Sequence, residues 1–213
     1  MADKSAEIRS AIGRDWQETP YYANADSTAW LEPFWGSTSL FLAMFRELDL
    51  TRVIEVACGR GRHAERILDK AGEITLVDFV AANIEACRRR FAGRDGISFI
   101  INAGNDLPGC ADAAYTALYS YDAMVHFELL DVIAYLHETH RVLQSGGRAL
   151  LHVSNNMQNP GGFYHANTHW RNFGSLDVVR HVADRIGFET LQYRALDWSG
   201  ASELDGLILL ERR

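Results

Sequence analysis

The sequence lacks a cysteine framework: Cys58, Cys87 and Cys110 are odd in number and irregularly spaced, which excludes a disulfide-stapled scaffold. It also lacks an excess of positive charge. With 21 Lys plus Arg against 28 Asp plus Glu, the formal net charge is −7, and the clustered cations that build nucleic-acid affinity are missing. Arg88, Arg89 and Arg90 do form a basic run, but three adjacent helical residues point in different directions and read as a solvated face. No apolar run approaches the roughly twenty residues that span a bilayer, and the opening MADKSAEIRS has no apolar signal core. Internal repeats and low-complexity segments are absent too. These absences point to a soluble, cytoplasmic protein of a reducing compartment, with neither nucleic acid nor membrane as partner. They leave the oligomeric state open.

What remains is ordinary globular material: 213 residues, 47% apolar and 23% charged, enough for one sizeable core and too few for two full domains. Residues 1–50 read as a helical cap rich in aromatics, among them Trp16, Tyr21, Tyr22, Trp30, Phe34 and Trp35, ending in an amphipathic helix over Ser39 to Leu48. Residues 51–154 then alternate between strand and helix patterns. Strands are expected at Arg52 to Ala57, Ile74 to Val77, Ile97 to Ile101, Tyr115 to Ser120 and Arg148 to Val153. Helices are expected at His63 to Lys70, Ala81 to Phe91 and Glu128 to Leu143. Such alternation predicts a single α/β domain with a mostly parallel sheet covered by helices on both faces, because a right-handed crossover helix joins parallel neighbours. Residues 155–172 show no period and combine Pro160, Gly161 and Gly162 with aromatics and histidines, the composition of a lid. Residues 173–213 give a helix and two strand-like stretches, Glu189 to Leu196 and Leu207 to Glu211, whose short link suggests an antiparallel pair.

The chemistry-bearing motif is Val53-Ile-Glu-Val-Ala-Cys-Gly-Arg-Gly-Arg62, a strand running through Glu55 into a turn with Gly59 and Gly61. Glycines let a backbone approach a ligand closely, and a helix N-terminus beyond the turn favours an anionic group. Asp78 closes the second strand about twenty residues beyond Gly59, where a parallel sheet brings its carboxylate beside the turn to accept both ribose hydroxyls of a nucleoside. Gly59-x-Gly61-x-x-Ala64 also satisfies a dinucleotide fingerprint, so an NAD-binding oxidoreductase is the rival reading. Three features count against it. Glu55 suits a cationic amino or sulfonium ligand and would repel a pyrophosphate. The only lysines are Lys4 and Lys70, which excludes the Tyr-x-x-x-Lys pair of a short-chain dehydrogenase. No second domain is left for the substrate of a longer one.

The stretches IEVACGRGRHAERIL, TLVDFVAANIEACRRRF, INAGNDLP and THRVLQSGGRALLHV, spanning roughly Val53 to Val153, resemble the class I S-adenosylmethionine-dependent methyltransferases. The resemblance implies a Rossmann-like three-layer sandwich whose seven-stranded sheet carries one antiparallel strand near its edge. It implies that the turn of Ala57, Cys58, Gly59 and Gly61 holds the methionine part of S-adenosylmethionine, with Glu55 near its amino group and Arg62 near its carboxylate. Asp78 would bind the ribose, Phe79 would pack on adenine, Asn102, Ala103 and Gly104 would meet the adenine edge, and Ser120 and Tyr121 would border the methyl-transfer site. Ala57 stands where the family has its first glycine, and Ala103 where an acidic residue is common. Those two departures keep a third class open, a cofactor-binding protein without transferase activity.

A sulfonium methyl needs chiefly an aligned nucleophile, so few protein groups are required. For a hydroxyl or amine acceptor a base helps, and His126 with Asp122, just past the fourth strand, are the first candidates. The alternative is that His126 starts the following helix and Asp122 orders the turn. His152 on the fifth strand reads as a satisfied core histidine. His165 and His169 are too irregularly placed for a metal, and none is expected. Tyr22, Trp35, His165 and Trp170 are candidates for contact with a small-molecule acceptor, their rings giving area with a polar handle.

Overall fold

The computed structural model describes residues 4–18 and 20–213. Four helices lead in: α1 (Lys4–Glu18), α2 (Tyr21–Asn24), α3 (Thr28–Trp35) and α4 (Leu40–Phe45). The α/β part follows as β1 (Arg52–Val56), β2 (Glu73–Asp78), α5 (Ala81–Arg90), β3 (Ile97–Ile101), β4 (Tyr115–Ser120), α6 (Leu129–Val142) and β5 (Leu143–Ser154). It closes with α7 (Leu176–Ile186), β6 (Phe188–Trp198) and β7 (Ala201–Arg212).

The seven strands form one sheet in the order β3-β2-β1-β4-β5-β7-β6. Strands β1 to β5 pair in parallel, and β7 runs antiparallel between β5 and β6. Alternate residues of each strand serve opposite faces, as a period of two requires. Ile54, Val56, Leu118, Leu151 and Ile208 face a core closed by Val132, Leu136, Val179 and Ala183 of α6 and α7. Val53, Leu76, Tyr119, Leu150 and Leu209 face a second core closed by Phe41, Met44 and Phe45 of α4 and Ile84 and Cys87 of α5. Strand reversal falls between β1 and β4, so the carboxyl ends of these strands open a crevice there, and this positions the site.

Four elements depart from the sequence pattern. The helix expected over His63 to Lys70 is only a 3-10 turn at Ala64–Arg66. Its bonds run three residues back, Arg66 N–H to His63 and Ile67 N–H to Ala64, which places Ala64 and Ile67 together on the buried side. Strand β5 begins at Leu143, five residues early, because Leu143 pairs with Tyr115 and the register shifts between Tyr115 and Ala117 to absorb Gly146 and Gly147. Strands β6 and β7 both extend to a two-residue hairpin at Ser199 (φ 45°) and Gly200 (φ 87°), the left-handed pair that matches strand twist. Among the described residues no helix is long and apolar enough to cross a membrane.

Candidate active site

The turn after β1 is built on three left-handed residues, Ala57 (φ 56°), Gly59 (φ 54°) and Gly61 (φ 80°). At Gly61 a side chain would stand 2.6 Å from the Phe91 ring, so glycine is what lets α5 pack behind the turn. The Gly59 N–H donates to Asp78 Oδ2 (2.9 Å), while Asp78 Oδ1 accepts from Val80 N–H (2.8 Å) and from the Asn83 amide (3.3 Å). Burial pushes the Asp78 carboxyl up to about 6, the donors working against that shift. The strand-end carboxylate and the glycine turn are thus one hydrogen-bonded unit.

Above this unit lies a cavity of about 80 Å³ lined by Ala57, Cys58, Gly59, Arg62, Asp78 and Phe79 on the core side and by Tyr121, Asp122 and His126 beyond β4. The N-terminal helices close it. Tyr22 packs its ring on Gly59, 3.2 Å from where a Cβ would be, and its hydroxyl accepts from the Asn83 amide (3.1 Å). Gly13 of α1 lies against Phe79, and Arg9 of α1 is ion-paired with Asp131 of α6. Arg90, grouped by sequence with the solvated arginines, instead clamps the cap: it bonds Asp26 (3.1 Å), Glu65 (2.6 Å) and the Arg60 carbonyl (3.1 Å).

Past β4, Asp122 adopts φ 56° and collects Arg62 (2.6 Å) and the Tyr21 hydroxyl (2.7 Å) on Oδ2. Its own N–H donates to His152 Nδ1 (3.2 Å), which fixes the other ring nitrogen, Nε2, as the donor to Asp205 (3.1 Å). Asp205 also receives Arg171 through two bonds of 2.6 and 2.8 Å, and these donors hold its carboxyl down at about 2 despite burial. His152 is therefore a satisfied buried histidine that anchors the turn. His126 Nδ1 donates to the Trp170 carbonyl (2.8 Å), which leaves Nε2 as an acceptor, and its ring lies 4.7 Å from that of Trp16. Burial, helped by nearby Arg171, pulls its pKa down to about 4, so the ring is neutral at physiological pH.

Of the residues singled out by sequence, Tyr22, Ala57, Cys58, Gly59, Arg62, Asp78, Phe79, Tyr121, Asp122 and His126 converge on the cavity. Others do not. Glu55 lies beneath the turn, where it accepts the Tyr119 hydroxyl (2.8 Å), and burial raises its carboxyl to about 8, so it is protonated rather than a ready anion. Ser120 is wholly buried, with no partner for its hydroxyl among the described residues. The Asn102 amide is engaged by the Asp106 carbonyl and the Tyr135 hydroxyl, and Asp106 Oδ1 accepts the Ala103 N–H (2.7 Å). Gly104 meets Arg9 and Phe79 under α1. Trp35 does not reach the cavity because its indole N–H donates to His63 Nδ1 (2.9 Å) and its ring packs on Phe41 and Phe45. His165 turns to Asp15 (3.1 Å), and Trp170 lines a neighbouring groove.

Sequence reasoning missed His63. With Nδ1 accepting from Trp35, the proton must sit on Nε2, which is buried, has no partner among the described residues and belongs to a residue lining the cavity. Its place two residues past Gly61 was the available signal. Among the described residues no three His, Cys, Asp or Glu side chains converge as a metal set.

A seven-stranded sheet with β7 reversed, a glycine turn after β1 and a carboxylate closing β2 define the Rossmann-like class I architecture. Comparison with known proteins agrees. Residues 53–147 match the family described as Methyltransferase domain. The chain is 29% identical to Methyltransferase nsrG of Aspergillus novofumigatus over 107 residues, 48% of this chain and 41% of that protein. It is 31% identical to a Demethylmenaquinone methyltransferase of Clavibacter sepedonicus over 104 residues, 47% of this chain and 40% of that one. The chain thus matches well under half the length of these relatives. In three dimensions it resembles the PH0226 protein of Pyrococcus horikoshii, with TM-score 0.68 at 18% identity over 94% of this chain and 99% of the other, a likeness of fold.

Proposed function

We propose that the protein is a methyltransferase that takes S-adenosylmethionine as cofactor and methylates a hydroxyl or amine of a small molecule. The observation that carries this reading is the hydrogen bond from Gly59 N–H to Asp78, which presents a close-approach backbone and a desolvated diol acceptor as one surface. The chemistry of the residues fits a nucleoside, but the space above them does not yet: cavities that hold cofactors run to roughly 300–1,000 Å³, against about 80 Å³ here. Binding therefore requires Tyr22 to leave Gly59, and the cap to move with it.

When bound, S-adenosylmethionine supplies a methyl already activated by its sulfonium. The chain's own part is alignment and the acceptor's proton. Asp122, held by Arg62 and His152, fixes the segment after β4 in one conformation. His126, with Nδ1 committed to the Trp170 carbonyl, presents Nε2 as the base. A pKa near 4 keeps it unprotonated through the physiological range at the expense of base strength.

Calorimetry tests the cofactor reading: S-adenosylhomocysteine should bind and NAD should not. Asp78→Ala should weaken that binding by about 10- to 100-fold, since a hydrogen bond to a charged group is worth about 1.5–3 kcal/mol. Tight NAD binding with no response to S-adenosylhomocysteine would overturn the assignment. For the base, His126→Ala should lower kcat by roughly 10²–10⁴ with cofactor affinity nearly unchanged. The acid limb of the wild-type rate profile should fall near pH 4, not near 6.5. Turnover per folded molecule within a few-fold of wild type would leave His126 with only its structural bond to Trp170.

A further inference from the structure

Beside the cavity runs an open groove of about 730 Å³, walled by Trp16, Tyr21, Trp30, Phe34, Trp170 and Trp198. Four of the chain's five tryptophans line it, and it shares Trp16, Tyr21, Asp122 and His126 with the lining of the cofactor-side cavity. A groove of this size takes a drug-sized molecule. Its position, continuous with the cavity at His126, is where an acceptor would have to lie.

The charges around it decide what kind of molecule fits. Three of the six rings that would attract an organic cation already hold the protein's own cations: Arg62 stands 5.2 Å from the Tyr21 ring and 5.1 Å from Phe34, and Arg171 4.8 Å from Trp198. A cationic ligand would sit beside two buried guanidiniums. Neither guanidinium is available to an anion, because Arg62 is paired with Asp122 (2.6 Å) and Arg171 with Asp205 (2.6 Å) in buried surroundings, and breaking such a pair is costly. Beyond these, the described lining residues offer broad ring surface, the acceptor nitrogen of His126 and the polar side chains of Asn24, His169 and Ser199, none of them a carboxylate or a guanidinium.

We propose that this groove binds a neutral, planar aromatic compound, its ring laid against the tryptophans and a hydroxyl directed to His126. The identity of the groove as the acceptor site rests on the methyl-transfer reading above, while ring binding stands without it.

The test uses three probes of one shape: 2-naphthol, 2-naphthoate and 2-naphthyltrimethylammonium, titrated at pH 7 by calorimetry into the whole chain, with S-adenosylhomocysteine titrated separately. 2-Naphthol should bind at least tenfold more tightly than either charged probe. Trp30 and Trp170 are 45% and 39% exposed, so truncating them spares the core. Trp30→Ala and Trp170→Ala should each weaken 2-naphthol binding by about tenfold, in line with the worth of an aromatic contact, and leave S-adenosylhomocysteine affinity unchanged. Equal or tighter binding of a charged probe, no binding of 2-naphthol, or indifference to both substitutions would each overturn the proposal. S-adenosylhomocysteine failing to bind while 2-naphthol binds as described would sink the cofactor reading and leave the groove standing.

Discussion

Ala57 occupies the first position of the glycine turn with φ 56°, a region where a Cβ crowds the backbone at about 1–2 kcal/mol. Glycine would relieve that crowding but lose more chain entropy on folding, by about 0.5–1 kcal/mol. Ala57→Gly is therefore expected to leave the fold level or more stable by up to about 1 kcal/mol, read as the midpoint of urea unfolding. A loss of that size would mean that the Ala57 methyl, which packs on the core below, matters more than its strained backbone. At this scale the sequence was readable wherever backbone geometry dictated the residue: Gly59, Gly61 and Asp78 stand where a strand-turn and a strand end must put them. It was unreadable where a side chain's direction depends on another element docking. Trp35 serves His63 because α3 and α4 bring the two together. No local pattern announces that.

Among elements, the part covering the cavity is the N-terminal cap rather than the segment expected as a lid. Residues 155–172 are tied down: Tyr164 is buried and donates to Asp15 of α1 (2.5 Å), Arg171 is paired with buried Asp205, and the Asn172 N–H reaches the Val125 carbonyl (3.0 Å). The lid composition was visible, yet the loop is anchored at Tyr164 and at Arg171 and Asn172, with Pro160, Gly161 and Phe163 left exposed, and it supplies Trp170 to the groove. Helices α1 and α2 meet the core through Tyr22 on Gly59, Gly13 on Phe79 and the Arg9–Asp131 pair. Hydrogen–deuterium exchange should locate the moving part. On addition of S-adenosylhomocysteine, amides of α1 and α2 should change protection more than those of residues 160–172. The reverse pattern would return the gating role to the loop. The strands were legible because β-branched runs alternate with turn residues. Their ends were less so, because the hairpin at Ser199 and the early start of β5 are set by pairing with β7 and β4.

Over the whole molecule, several buried carboxyls and histidines have pKa values moved in opposite senses, and stability against pH follows from their sum. Glu55, Asp78 and Asp131 are raised, to about 8, 6 and 6, by burial. A raised carboxyl binds its proton more tightly in the folded state. Its contribution is complete below the unfolded value and is lost as pH climbs through the folded one. His126 and His63 are lowered by burial, so the folded state resists their protonation and loses stability as pH falls below 6.5. Between about pH 4.5 and 6 these slopes oppose one another only in part, three carboxyls against two histidines, so a decline of up to about 1.4 kcal/mol per pH unit remains. Above 6.5 the histidines no longer contribute, Asp78 and Asp131 are largely ionised, and Glu55 is left to titrate. Each pH unit then removes up to about 1.4 kcal/mol, so roughly 2 kcal/mol should go between pH 6.5 and 8. Glu55→Gln keeps an acceptor for Tyr119 and abolishes the titration. In melting curves without added ligand, wild type should decline between pH 6.5 and 8, and the variant should stay nearly flat across that window. A decline of equal slope in both would mean that Glu55 is already ionised beneath the turn, held so by Arg62, and that the carboxylate first read from the motif is an anion after all.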